Sequence, residues 1–182
     1  YAEFERTVDV LVRNKVIEDG TKIWWDLRPS ARFPTLEMRV TDICTRIDDA
    51  VAIAALYTCT LRMLWRLRTS NQKWRSYPAF LIEENRWRAQ RYGVRETLFD
   101  FGKGTLVPFA RLIDELVDLI AEDAAVLGCE REVKHALNIA TGGTSADRQV
   151  ACYERLIAGG ASVDAALIGV VDHLSAETVA GT

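Results

Sequence analysis

The chain has 182 residues, 49% hydrophobic and 27% charged, proportions of a folded globular protein that exclude a disordered or fibrous one. A formal net charge of −3 gives no electrostatic reason to expect nucleic acid or an anionic membrane as partner. No apolar run approaches the roughly 20 residues that span a bilayer, and the most apolar stretch, residues 50–60, leads straight into Arg62 and Arg66.

The first residue is Tyr1, and YAEFERTVDVLVRNKVIED reads as a helix already under way, with Phe4, Val8, Val10, Leu11 and Val16 near helical spacing. Nothing there resembles a basic segment followed by an apolar one, as a secretory leader requires. A chain opening inside an element leads us to expect the C-terminal part of a larger soluble enzyme. Asp19-Gly20 is a turn signal, and two short alternating runs follow. In IWWDLR, the side chains of Trp24, Asp26 and Arg28 share one face and Ile23, Trp25 and Leu27 the other. In TLEMRVTD, Thr35, Glu37, Arg39 and Thr41 share a face opposite Leu36, Met38 and Val40. The link PSARFP, with Pro29 and Pro34, is short enough for an antiparallel connection. Two strands alone are not stable in water, so these predict further sheet outside the chain.

From about Asp48 the pattern turns helical. Asp48 or Thr45 is the expected cap of a long helix through Arg68. Pro78 opens a second helix, ended by Gly93 in the C′ role. A small hairpin is predicted near residues 96–109, with Gly102-Lys103-Gly104 at its tip. Pro108 then starts an amphipathic helix bearing Leu112, Ile113, Leu116, Leu119 and Ile120. Two or three more helices begin near Glu130, Ser145 and Ser162, the last two with serine N-caps. The fold class expected is α+β, in a single catalytic domain over 1–182: helix and two strands over 1–45, mostly helix over 46–182.

Asp26, Arg28, Glu37 and Arg39 form the first candidate site. Alternation alone fits a sheet face with cross-strand ion pairs. The aromatic and proline residues around them (Trp24, Trp25, Pro29, Phe33, Pro34) fit a walled concavity better. A carboxylate flanked by arginines stays ionised and can take a hard cation, while arginine offers a planar fork to phosphate or carboxylate. The second candidate is EENRWRAQRYG, where Arg86 and Arg88 beside Asn85 and Trp87 suit an anion, against the plainer reading of a solvated, ion-paired face. Cys44, Cys59, Cys129 and Cys152 form no CxxC pair and have no histidine at a zinc-ligand interval, which predicts buried, reduced thiols in a cytoplasmic protein. His135 and His173 lie on different helices without a ligand pattern and are expected to be structural or surface residues. Gly102-Lys103-Gly104 lacks the spacing of a phosphate-binding loop.

Taken in order, WWDLRPS, TLEMRVTD, ENRWRAQRYG and the DRQVACYERL segment resemble the C-terminal half of the type 2 glutamate–cysteine ligases, ATP-dependent carboxylate–amine ligases with a glutamine-synthetase-like antiparallel sheet. The first two motifs are specific; the tail is generic. The resemblance implies that ATP phosphorylates a carboxylate, glutamate in the name-giving reaction, and that an amine such as cysteine attacks the acyl phosphate. It further implies that Glu37 is a Mg2+ ligand and that Arg39 meets the transferring phosphoryl or the carboxylate. Arg28 would be a second anion contact, supported by Asp26 and walled by Trp24, with Arg86 and Arg88 contacting substrate or nucleotide. The family's N-terminal strands, which carry further acidic ligands and a histidine, are the expected partner of this half. Without them the chain is expected to be inactive, and unfinished sheet favours a homo-oligomer. The competing expectation is a non-catalytic helical interaction domain whose strand charges are surface ion pairs.

Overall fold

The structure is a computed structural model that describes residues 1–180. It is an α+β chain, mostly helical with two small antiparallel sheets. Two compact units divide it, Tyr1–Ile43 and the remainder from Cys44.

In the first unit, helix α1 (Ala2–Arg13) carries Glu3 and Glu5 in its first turn and Arg13 in its last, charges that complement the helix dipole. Phe4 packs edge-on against Trp25, with ring centroids 5.6 Å apart. Asp19 caps a single 3-10 turn, Gly20–Lys22, by accepting from the Thr21 amide at 2.7 Å. Strands β1 (Leu27–Pro29) and β2 (Leu36–Met38) then pair antiparallel with Arg28 opposite Glu37. The Arg39 amide bonds to the Asp26 carbonyl at 2.7 Å and the Ser30 amide to the Thr35 carbonyl at 2.9 Å, so the same register runs one pair past each strand end.

Two strand expectations need correcting. Residues 23–26 are not strand, because Ile23 closes the 3-10 turn and is itself buried. The ribbon's faces are also inverted relative to the usual pattern. Arg28 is only 7% exposed, whereas Leu27 and Leu36 on the apolar side are 43% and 46% exposed. Arg28 is the inward residue because backbone carbonyls wait for it there, as described below.

The second unit is built on α2 (Ile47–Thr69). Its buried side chains Ala55, Cys59 and Met63 meet Val117 and Ile120 at the end of α4 (Phe109–Leu119), Ala124 of α5 (Ala121–Leu127) and Val133 of α6 (Glu130–Gly142). Such a core, and not intrinsic propensity, is what holds most helices together. By length and composition α2 is apolar enough to cross a membrane, contrary to the first reading of the sequence. Its small side chains instead line the core, and Arg62 and Arg66 pair with the fully buried Asp123 of α5. The N-cap of α2 is Arg46, which makes no side-chain capping bond, in place of the expected Asp48 or Thr45.

Helix α3 (Ala79–Tyr92) follows Pro78 and stops at Gly93, whose φ of 61° is open to glycine. The predicted hairpin is present as β3 (Thr97–Asp100) and β4 (Thr105–Pro108). Its tip is tied by the Asp100 carboxylate, which accepts from the Gly102 and Lys103 amides at 2.8 and 3.0 Å. Of the expected apolar stripe, Ile113, Leu116 and Ile120 face the core, where Val117 joins them, while Leu119 is exposed. Helices α7 (Ser145–Ala158) and α8 (Val163–Val179) pack together at the end. Thr144, not Ser145, caps α7, in a reciprocal capping box with Asp147; Ser162 caps α8 as expected.

Candidate active site

Glu37 stands between two guanidinium groups. From the facing strand, Arg28 donates to Glu37 Oε2 through Nε at 3.2 Å and Nη2 at 2.6 Å. Two residues along the same strand, and therefore on the same face, Arg39 Nη1 donates to the same oxygen at 3.1 Å. Hydrogen bonding from Arg28, and next from Arg39, holds the Glu37 carboxyl below its ordinary range against the opposing effect of desolvation. It is therefore ionised at neutral pH. The Arg39 guanidinium also lies over the Trp24 ring, 5.0 Å from its centroid, which fixes a long side chain on an exposed aromatic platform.

The arginines differ in what they leave free. Arg28 Nη1 donates to the carbonyls of Thr21 and Ile23 at 2.7 and 3.0 Å, so the 3-10 turn and Glu37 together clamp the guanidinium in a buried position. Arg39 is about one-third exposed. Two guanidiniums converge on one carboxylate oxygen, and a guanidinium with free N–H groups can fork onto the oxygens of an anion. The recorded arginine contacts of Glu37 all fall on Oε2. Asp26 contributes its backbone carbonyl to the Arg39 amide.

Arg86 and Arg88 lie in the second unit, on α3. Arg88, half-buried, donates through Nε to the Thr97 carbonyl at 2.8 Å and through Nη2 to the Thr97 hydroxyl at 3.1 Å. Arg86 is exposed. Asn85 pairs with Phe99 in both directions: its amide donates to the Phe99 carbonyl at 2.9 Å and its Oδ1 accepts from the Phe99 amide at 2.7 Å. The ENRWR segment thus uses Asn85 and Arg88 to bind the edge of the hairpin.

Sequence reasoning missed a buried polar cluster in the second unit. Asp49 of α2 accepts from His135 Nε2 of α6 at 2.8 Å, with the imidazole in its Nε2–H tautomer, and accepts from Arg148 Nη2 of α7 at 3.3 Å. Arg148 Nε lies 2.7 Å from Glu177 Oε1 of α8, an ion pair in distance though not aligned as a hydrogen bond. The Thr45 hydroxyl donates to Glu177 Oε2 at 2.8 Å, and Arg46 reaches Oε1 at 2.8 Å. Desolvation pushes the Glu177 carboxyl up, but Thr45, Arg148 and Arg46 outweigh it and hold the group below its ordinary value. These residues come from four helices and the two positions just ahead of α2, at unrelated spacings, so no local sequence signal could have collected them. His173 Nε2 lies 3.8 Å from Glu177 Oε1, too far for a hydrogen bond, so it borders the network that His135 joins. Among the described residues, no group of three or more His, Cys, Asp or Glu could hold a metal.

The pairing of an E-x-R strand with an antiparallel R-bearing partner can be set against known proteins. The signature of "Glutamate-cysteine ligase family 2(GCS2)" matches residues 1–166. A protein of Rhodospirillum rubrum named "Putative glutamate--cysteine ligase 2" is 60% identical over 180 residues, 99% of this chain and 46% of that protein. Proteins of the same name from Jannaschia sp. and Paracoccus denitrificans are 54% and 47% identical, each over 96% of this chain and 46% of their own length. The chain belongs to the glutamate–cysteine ligase 2 family. It spans about half the length of the curated relatives it matches.

Proposed function

We propose that this chain supplies one wall of the nucleotide site of an ATP-dependent carboxylate–amine ligase, which activates a carboxylate such as that of glutamate as an acyl phosphate for attack by an amine such as cysteine. The observation that carries this is the Arg28–Glu37–Arg39 arrangement on two adjacent strands. Phosphoryl transfer asks the protein for positioning and charge neutralisation more than for covalent help. Arg39 is the group suited to the transferring phosphoryl or the substrate carboxylate: it is partly exposed and is held in place by Trp24 and Glu37. Arg28, whose guanidinium is engaged by Glu37 and two carbonyls, acts through Glu37 as a positioning residue, not as the anion contact expected from the family motif. Trp24 serves as platform and Asp26 sets the register through its carbonyl.

Glu37 fits a magnesium ion in a limited sense. Mg2+ commonly takes one or two protein carboxylates and completes its shell with water and nucleotide phosphates. Glu37 Oε1, which lies outside the recorded arginine contacts, offers one such oxygen. Bound there, the ion would neutralise phosphate charge; the remaining carboxylates would come from sequence beyond this chain. That agrees with the coverage of the relatives and with the exposed apolar face of the ribbon, which a further layer or strand would cover. Arg86 is kept as a contact for substrate or nucleotide, whereas Arg88 supports the hairpin that carries its helix. Alone, the chain is expected to release no ADP.

The test is chemical trapping in the intact protein. With ATP, Mg2+ and glutamate, hydroxylamine should intercept the activated carboxylate as a hydroxamate, formed with ADP in equal amounts. Release of AMP and pyrophosphate in step with hydroxamate would show an adenylate route and overturn the proposal.

A further inference from the structure

Cys59 and Cys129, 70 positions apart, have their sulfurs 3.5 Å from each other. Cys59 sits in the middle of α2 and is fully buried in the core; Cys129 is the N-cap residue of α6 and is half-buried. Two thiols brought into contact from different helices are a geometry that cysteine used as a small hydrophobe does not require.

We infer that Cys59 and Cys129 form a redox-active dithiol, with Cys129 the sulfur that meets a hydroperoxide and Cys59 the sulfur that resolves it into a disulfide. The roles follow from access and chemistry. Burial, and then the neighbouring Cys129 and Asp123, push the Cys59 thiol up to about 12, so at neutral pH it stays protonated and sheltered. Cys129 has the solvent contact an oxidant needs. In the first step the Cys129 sulfur attacks a peroxide oxygen: the S–O bond forms, the O–O bond breaks, and the departing oxygen leaves as water with the thiol proton. Cys129 is oxidised to sulfenic acid and the peroxide is reduced. In the second step the Cys59 sulfur attacks Cys129: the S–S bond forms, the S–O bond breaks, and the hydroxyl leaves as water with the Cys59 proton.

The sulfurs must close from 3.5 Å to about 2.05 Å for the bond to form. Once formed, the bond would fasten α2 to the start of α6 across the core. It would be shielded from small thiol reductants by the same burial that shelters Cys59, so that reduction requires local opening.

The intact protein is exposed to hydrogen peroxide with its far-UV circular dichroism unchanged, denatured with an alkylating agent and digested. The expected product is a linked pair of peptides containing Cys59 and Cys129, lost on reduction, with Cys44 and Cys152 alkylated. In Cys59→Ser the resolving sulfur is gone, and dimedone should then label Cys129. A peptide map in which Cys59 and Cys129 both remain alkylatable, or in which Cys129 proceeds to sulfinic acid without linking to Cys59 in the unsubstituted protein, overturns the inference. Linkage of Cys59 or Cys129 to Cys44 or Cys152 at comparable yield overturns it equally.

Discussion

At Glu37 a single carboxylate is shared by two guanidiniums of different character, one buried and saturated, one exposed and steadied on an indole. The contrast with Asp123 is instructive. That aspartate is also flanked by two arginines, Arg62 and Arg66, yet it is fully buried and has no open side. The Arg66 hydrogen bond, then Arg62, hold its carboxyl below the ordinary range against desolvation. Replacing Asp123 by Asn would leave half-buried Arg62 without its counter-charge and Arg66 with only the exposed Glu122. The expected loss is about 3 kcal/mol, the low end for breaking a buried pair because both arginines keep some water, and urea unfolding would measure it. Alternation and a short link were enough to place Glu37, Arg39 and Arg28 on one side of a ribbon. The clamp on Arg28 was not legible, because its acceptors are the backbone carbonyls of Thr21 and Ile23, set by a 3-10 turn and not by residue type.

The elements were legible where a breaker or a cap marks them. Pro78, Gly93, Pro108 and Ser162 stand at the boundaries the sequence predicts. Helix α5 was not, since the break at Ile120 is a bend of φ −99° and ψ 7° inside a continuous apolar pattern with no Gly or Pro. Arg88 and Asn85 likewise read as surface charge and amide on α3 until the hairpin is seen beside them. For Asn85→Ala we expect loss of both Phe99 bonds and exposure of unmatched backbone groups, costing about 1–3 kcal/mol. The loss would appear as faster amide hydrogen exchange at Phe99, with α6 protection unchanged. Equal acceleration in both places would contradict this local role.

Across the whole molecule, Asp123 and Glu177 tie helices together and Asp147 caps α7, each with its carboxyl held below its ordinary value. For a depressed carboxyl the stabilisation is complete above the unfolded-state value and is lost as pH falls through the folded-state value. Thermal melts should therefore be level from pH 7 to about 5 and fall steeply below about 4.5; a melting temperature unchanged at pH 3.5 would contradict the account. The central claim rests on Glu37, and its most direct measurement is magnesium-dependent ADP formation by Glu37→Gln in the intact protein. The amide oxygen can still accept from Arg28, so the ribbon should persist. The account predicts turnover lower by roughly 100-fold or more, with the protein still folded by far-UV circular dichroism even if the lost charge on Arg28's partner lowers the melting temperature. Turnover equal to that of the unsubstituted protein would make Glu37 a surface ion-pair residue and leave the nucleotide site elsewhere.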